Sequence, residues 1–130
     1  MEYSEPVRRY FECPAGAGAL QGRKGLCVAG SAGLESRGLR IWLAARIVDG
    51  RVAEARFRAY GCPNTIAVAA WTTEQITGQA AHELGIDPLA AAAELALPAE
   101  KLNCALCAED ALDELRSNWA ALAQSKNREI

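Results

Sequence analysis

The feature that most constrains this chain is a pair of alternating segments joined by Asp49-Gly50. In LRIWLAARIV, residues 39–48, every second residue is apolar, and in RVAEARFRAY, residues 51–60, alanine and phenylalanine alternate with glutamate and arginine. A period of two residues is typical of a strand with one buried and one solvated face. Asp-Gly between two such segments is a strong signal for a two-residue type I′ turn. The sequence therefore predicts an antiparallel hairpin whose polar face is exposed to water.

After the hairpin, the apolar spacing lengthens to the three or four residues that are typical of helices. Another short helix is predicted before the hairpin, at the start of the chain. Ser4 is a suitable N-cap for it, and Cys13-Pro14 ends it. The helices predicted after the hairpin cover about 64–77, 88–95 and 103–124. Strands followed by helices predict a single α+β domain over residues 1–130, with the helices on one face of the sheet.

Two segments are predicted to lie outside the regular elements. The segment from about 15 to 38 contains seven glycines, and we expect it to be mostly a flexible loop with a short strand at GLCVAG. The polar tail, about 124–130, is expected to fray.

Composition excludes several classes of function. The net charge of −2 and the lack of a basic run with interleaved aromatic residues argue against nucleic-acid binding. No apolar stretch approaches the roughly 20 residues that a membrane span needs. Five cysteines without an export signal indicate a reducing compartment, so a cytoplasmic protein with free or metal-bound thiols is expected.

Cysteines stand at the predicted starts of two helices. Cys62 precedes Pro63, Cys104 follows Asn103, a plausible cap, and Cys107 comes one turn later. Helix N-termini lower the pKa of a thiol, which favours the thiolate that binds metal or attacks sulfur. Metal binding, sulfur or redox chemistry and simple core packing all remain open, because a structural zinc site normally needs four ligands and a second Cys-x-x-Cys is missing.

Three motifs carry a resemblance to a known family over nearly the whole chain. The segments YSEPVRRYFECP, ARFRAYGCPNTIAVAAWTTEQITG and LPAEKLNCALCAEDAL resemble, in order, the family motifs YSExVxxHYxNP, ARFKxYGCGxAIASSSxxTExxxG and LPPVKxHCSxLAEDAI. These belong to the U-type iron–sulfur cluster assembly scaffolds, the IscU and NifU N-terminal family. The resemblance implies a three-stranded antiparallel sheet with packed helices. It also implies a scaffold, not an enzyme, that binds iron or zinc, accepts sulfur from a cysteine desulfurase and builds a [2Fe–2S] cluster.

The family's ligand positions are only partly kept. Cys62 matches the family's second cysteine, and Cys104 matches its third, which the resemblance implies is the sulfur acceptor. Counting back from Cys62, the family's first cysteine falls on Ser36 and its aspartate on Gly38. The histidine position holds Asn103. The chain therefore resembles a divergent member that lacks three of the usual site residues.

Other residues could complete or modify such a site. The expected ligands are Cys62, Cys104 and Cys107, with Cys27 or Glu35 from the glycine-rich segment as a further donor. The family's chaperone-recognition stretch LPPVK is replaced by Leu97–Lys101, which implies a weakened motif for an Hsp70-type chaperone system. His82 is expected at the surface, and Cys13 is expected to be a packing or incidental residue.

The sequence leaves three functions open. The first is a scaffold or carrier for iron–sulfur cluster assembly. The second is a metal-free adaptor that binds or regulates the desulfurase, which the substitutions at Ser36, Gly38 and Asn103 would suit. The third is a redox protein that uses Cys104 and Cys107 as a dithiol pair.

Overall fold

A computed structural model describes residues 3–128 of the chain and the side chains of residues 3–125. Within these residues the strands form one antiparallel sheet in the order β1-β2-β3, which confirms the predicted α+β fold. The elements are α1 (Glu5–Glu12), β1 (Leu26–Leu34), β2 (Leu39–Val48), β3 (Arg51–Tyr60), α2 (Pro63–Ile76), α3 (Pro88–Glu94) and α4 (Leu102–Arg128), with single 3₁₀ turns at Glu35–Arg37, Ala81–Glu83 and Ala99–Lys101.

The hairpin of β2 and β3 forms as predicted except near its turn, where a register shift between Arg46 and Ile47 buries Val52 and exposes Ala53, which the alternation predicts on the same face as Ala55. Asp49 and Gly50 both have positive φ, 52° and 77°, as a type I′ turn requires at its two central positions. In β2 the odd-numbered residues from Ile41 to Ile47 are buried, and the even-numbered ones are only partly covered. The polar face of the hairpin is therefore the outer face of the sheet.

Strand β1 is the main departure from the sequence prediction. The strand predicted at GLCVAG forms but is longer than expected, because β1 pairs with β2 from Leu26 opposite Ile47 to Leu34 opposite Leu39, and the predicted loop is wrong for residues 31–34. Alanine and glycine give this strand a weak β signal. There is a specific reason for a glycine at position 30, because a Cβ atom there would lie 2.3 Å from the backbone nitrogen of Leu115 in α4.

Both margins of the sheet have hydrogen-bond partners. Gly16 and Gly18, from the predicted loop, run beside β3: the Phe57 N–H donates to the Gly16 carbonyl at 2.8 Å, and the Gly18 N–H donates to the Phe57 carbonyl at 3.0 Å. On the β1 margin, the Asn118 side chain donates to the Ala29 carbonyl at 2.7 Å. The glycine-rich segment is thus partly a cover for an edge strand.

Helices α2 and α4 pack on the same face of the sheet, α2 mainly against β3 and α4 mainly against β1. Alanines in both helices are fully buried and permit a close approach, among them Ala67, Ala69, Ala105 and Ala111. Ser4 caps α1, as predicted, by accepting a hydrogen bond from the Val7 N–H at 3.2 Å. No helix in the described part of the chain is long and apolar enough to cross a membrane.

The last helix is longer than the sequence predicts. Helix α4 extends as far as Arg128, so most of the predicted tail 124–130 has helical backbone, and residues 129 and 130 lie outside the described residues. A single domain over 1–130 stays a prediction that one shared hydrophobic core supports.

Candidate thiol site

Four chain segments meet at one end of the sheet. Leu34 of β1 lies opposite Leu39 of β2, and Arg40 lies opposite Tyr60 of β3. The β1–β2 connection and the end of β3 therefore lie at the same end of the sheet, and only two residues separate β3 from the start of α2. The first turns of α2 and α4 meet there through a contact between Thr65 and Cys104.

Cys62 is the N-cap residue of α2, as its sequence position predicts. Its backbone is extended (φ −80°, ψ 174°), and Pro63 takes the first helical position. Burial opposes ionisation of the half-buried Cys62 thiol. The backbone N–H groups of Thr65 and Asn64 donate towards the sulfur, however, and with the Thr65 hydroxyl and the Lys101 charge they lower its pKa below the ordinary value. Cys62 is thus prepared to act as a thiolate.

Cys104 behaves differently from the sequence prediction. It is the third residue of α4 and only 2% exposed. Burial raises the pKa of the Cys104 thiol. The hydrogen bond with Thr65 and the charge of Lys101 lower it by less, and the neighbouring Cys62 raises it further. The expected low pKa at a helix start is therefore wrong here, because removal from water outweighs the helix terminus.

Asn103 is also placed differently from its prediction as a helix cap. The 3₁₀ turn Ala99–Lys101 runs directly into α4 at Leu102, so Asn103 is an exposed residue within the first turn. Its Oδ1 lies 3.9 Å from the Cys104 sulfur. A side chain at this position can therefore reach Cys104, although an amide is a poor metal ligand.

Thr65 joins the two thiols, and the sequence reasoning missed it. The Thr65 side chain is buried, and its Oγ1 lies 3.4 Å from the Cys104 sulfur and 3.9 Å from the Cys62 sulfur. The available signal was the departure from the family motif GCGxAIASSS, in which alanine stands where this chain has Thr65. A hydroxyl that contacts two thiols 42 residues apart in the chain makes them one chemical unit.

Cys107 lies beside this unit but has a different partner. It is 6% exposed, and its thiol donates to the Ala32 carbonyl of β1 at 3.4 Å. Burial and the charges of Cys104 and Asp110 raise the pKa of Cys107, against a hydrogen bond from the Ile41 backbone. In this arrangement Cys107 is an inward-facing thiol rather than a ready ligand.

The β1–β2 connection carries the positions where the family has its missing ligands. Glu35, Ser36 and Gly38 are exposed there, at the same end of the sheet as Cys62. Glu35 forms an ion pair with Arg40 at 3.6 Å. Gly38 has a φ of 80°, and a Cβ at that position would meet no atom within 4 Å. Larger side chains therefore have room at this rim.

Three other residues lie away from the unit. Cys27 does not lie where a further donor is expected, because it is part of β1 opposite Arg46, on the outer face and towards the other end of the sheet. Cys13 is exposed at the end of α1, so it is not a packing residue. His82 is exposed beside Glu83 at 3.5 Å, which agrees with its predicted place at the surface.

The geometry gives two thiols around one hydroxyl, with a third thiol turned towards the sheet. Among the residues that the structure describes, no three His, Cys, Asp or Glu side chains converge closely enough to hold a metal ion. Cys62 and Cys104 fit a metal or a cluster as two thiolate donors. A complete shell would need further donors from the rim or from a second molecule.

The fold and the site place this protein among small α+β proteins that bring two thiols together at one end of a sheet. Comparison with known proteins identifies its family. Residues 2–125 match the NifU-like N-terminal domain. The chain is 32% identical over 123 residues, 93% of its length, to the iron–sulfur cluster assembly scaffold protein IscU of Haemophilus influenzae, of which it covers 98%. It is 30% identical over 128 residues, 97% of its length, to the full length of the Escherichia coli IscU. The chain belongs to the NifU-like N-terminal domain family.

A solved structure gives the same fold. A protein of the SUF system for iron–sulfur cluster assembly from Fervidobacterium islandicum superposes with a TM-score of 0.68. The match covers 88% of this chain and 96% of that one, at 16% sequence identity. At this identity the likeness bears on the fold alone, and it agrees with the three-stranded sheet and its helices.

Proposed function

We propose that this protein is a scaffold or carrier for iron–sulfur cluster assembly, rather than a catalyst. The observation that carries the proposal is the meeting of Cys62 and Cys104 around Thr65 at the end of the sheet. These are the two cysteines that match the family's site, and the Haemophilus influenzae and Escherichia coli relatives are named scaffold proteins. Soft thiolates are the donors that iron–sulfur clusters and zinc both prefer.

The proposed roles follow from the place of each residue. Cys62 and Cys104 are the primary ligands for iron, zinc or a [2Fe–2S] cluster, and Cys107 joins them if its thiol leaves the Ala32 carbonyl. Glu35 is a rim donor that must first leave Arg40. The sulfur source is a cysteine desulfurase. A [2Fe–2S] cluster that is held by cysteines takes four ligands. Because this site offers fewer thiols than that, the bound species should be more labile than one in a complete shell.

A chaperone contact is proposed at the segment that precedes α4. Pro98, Ala99 and Glu100 are exposed, and this segment continues directly into the helix that carries Cys104. The charge of the half-buried Lys101 favours the thiolate at both Cys62 and Cys104, although burial keeps the pKa of Cys104 above its ordinary value. An Hsp70-type partner that binds this segment would therefore act close to the thiols.

A second candidate function is a metal-free adaptor for the desulfurase machinery. It is favoured by the lack of three converging metal-binding side chains among the described residues and by Ser36, Gly38 and Asn103 at the family's ligand positions. The third candidate, a Cys104–Cys107 dithiol, has less support because both thiols are buried.

The decisive experiment restores the missing ligands. A triple variant, Ser36→Cys, Gly38→Asp and Asn103→His, is compared with wild type in anaerobic reconstitution with desulfurase, cysteine and ferrous iron. Iron and sulfide per chain and the visible spectrum are measured. The restored variant should hold more cluster than the wild type, and Cys107→Leu should bind less zinc than the wild type if Cys107 is a ligand. Aspartate is among the residues that best tolerate the positive φ at position 38.

A matched control carries Ser36→Ala and Gly38→Asn, which change the same rim without adding a ligand. It should load as the wild type does. If wild type and restored variant both stay free of metal while the wild type binds the desulfurase, the adaptor function replaces the scaffold. If the wild type also fails to bind the desulfurase, both are refuted.

A further inference from the structure

The two thiols at the candidate site differ sharply in access. Cys104 is 2% exposed, whereas Cys62 is only half-buried and follows the exposed residues Tyr60 and Gly61. A sulfur donor must bring its terminal sulfur into contact with the acceptor thiol. In this structure a donor outside the protein can approach Cys62 but not Cys104.

Thr65 differs from the other threonines of α2 in the direction of its hydroxyl. Thr72 and Thr73 each donate to a carbonyl of the preceding helical turn, at 2.8 and 2.7 Å. The Thr65 hydroxyl, in the first turn, instead contacts the sulfurs of Cys62 and Cys104. It is therefore placed to exchange protons with both.

We propose that sulfur enters this protein at Cys62 and is then passed inward to Cys104, with Thr65 carrying the proton between them. This inference rests on the proposed function, because it concerns how the protein handles the sulfur that it receives. It changes the role that the family resemblance gives to Cys104, from direct acceptor to second holder.

The transfer balances without an added oxidant or reductant. The Cys104 sulfur attacks the outer sulfur of a Cys62 persulfide, and a new S–S bond forms on Cys104. The bond between the Cys62 sulfur and the outer sulfur breaks, and its electron pair stays on Cys62. The Thr65 hydroxyl takes the proton from the Cys104 thiol and returns its own to the Cys62 sulfur. The products are a Cys62 thiol and a Cys104 persulfide.

Cys107 is outside this route. Its thiol donates to the Ala32 carbonyl, and the Thr65 hydroxyl contacts the other two sulfurs. The inward transfer should therefore be independent of Cys107, which separates the proposal from a Cys104–Cys107 dithiol.

The test follows the position of the sulfur over time. Reduced protein is given inorganic polysulfide, quenched with an alkylating agent at intervals, and mapped by peptide mass spectrometry. In wild type the persulfide should appear first on Cys62 and then on Cys104. In Cys104→Ser it should remain on Cys62. In Cys62→Ser the loading of Cys104 should fall to near background. Cys13→Ser, at an exposed residue away from the site, is the matched control and should follow wild type.

Variants of Thr65 test the proton path. Thr65→Val keeps the shape of the side chain and should slow transfer by about 100-fold or more, in the range of general acid–base effects, while Cys62 still loads. Thr65→Ser keeps the hydroxyl and should retain transfer, so a Thr65→Val chain that fails to fold leaves the serine variant to compare with wild type. A serine variant that folds but does not transfer would count against the proton path.

One result would overturn the proposal: Cys62→Ser that loads Cys104 at the wild-type rate. A parallel series with desulfurase and cysteine separates this inference from the proposed function. If polysulfide sulfur moves from Cys62 to Cys104 but the desulfurase loads neither thiol, the transfer stands and the proposed sulfur source fails.

Discussion

Replacing Gly30 by alanine should destabilise the protein through the contact between β1 and α4. The added Cβ would lie 2.3 Å from the Leu115 nitrogen and 2.6 Å from the Ala111 carbonyl oxygen. Both are backbone atoms, so a side-chain rotation cannot relieve the contact and the helix must move away from the strand. Overpacking of this kind costs about 1–3 kcal/mol. Alanine also restricts the unfolded chain more than glycine does, which offsets at most about 1 kcal/mol of this cost in the free energy of unfolding.

Because both contacts are with backbone atoms, the cost should lie in the upper part of that range, and the expected net loss in the free energy of unfolding is about 1–2.5 kcal/mol, and more if α4 cannot shift. For a domain of this size that corresponds to a fall in Tm of roughly 4–10 °C. Thermal unfolding followed by circular dichroism measures it. Gly85→Ala is the matched control, because the nearest atom to its added Cβ, the Glu83 carbonyl oxygen, lies 3.9 Å away. Its stability should be unchanged or slightly raised.

The same substitution should also disturb the thiols, because α4 carries Cys104 and Cys107. A helix displaced from β1 would lengthen the bond from the Cys107 thiol to the Ala32 carbonyl, and both thiols should alkylate faster than in wild type. A Gly30→Ala protein that unfolds at the same temperature as Gly85→Ala would refute the reasoning about the strand–helix contact.

Two further predictions concern ionisable groups. In the reduced protein iodoacetamide should modify Cys62 well before Cys104 or Cys107, because Cys62 is more exposed and its pKa is lowered while burial raises the pKa of the other two; equal rates by mass spectrometry would contradict this. Glu54 accepts hydrogen bonds from the Gln21 and Gly22 N–H groups and from Arg56 and Arg46, which lower its pKa from 4.5 to about 2. Its contribution to stability should be complete above pH 4.5 and disappear as the pH falls towards 2. Over that range the Tm of wild type should therefore fall more steeply than the Tm of Glu54→Gln. Parallel curves of Tm against pH for the two proteins would exclude this role.

The parts of the fold that local sequence determines could be predicted. The hairpin needs only a period of two and an Asp-Gly turn, and α2 needs only its spacing and Pro63. Strand β1 could not be predicted in full, because Gly30 makes room for Ala111 and Leu115 of α4, which lie more than 80 residues later in the chain. The small residues of β1 fit against a helix backbone and give only a weak strand signal, which was enough to predict the strand at GLCVAG but not its extension to Leu34.

The candidate site shows the same division between local and tertiary information. Cys62 could be placed at a helix start from its neighbours alone. The burial of Cys104 and the contact of Thr65 with both thiols depend on how α2 and α4 meet, which no window of sequence contains. Asn103 failed as a cap because the preceding 3₁₀ turn already continues into the helix.

The bonds along both margins of the sheet bear on fibril growth and on recognition by strand addition. A peptide that docks by extending a sheet needs a row of free backbone N–H and C=O groups on an edge strand. Here Phe57 of β3 is occupied by the glycine segment, and Ala29 of β1 is occupied by a side chain of α4. A strand that adds at these positions must first displace the hydrogen bonds already made there, so the folded chain resists self-templated stacking at both margins.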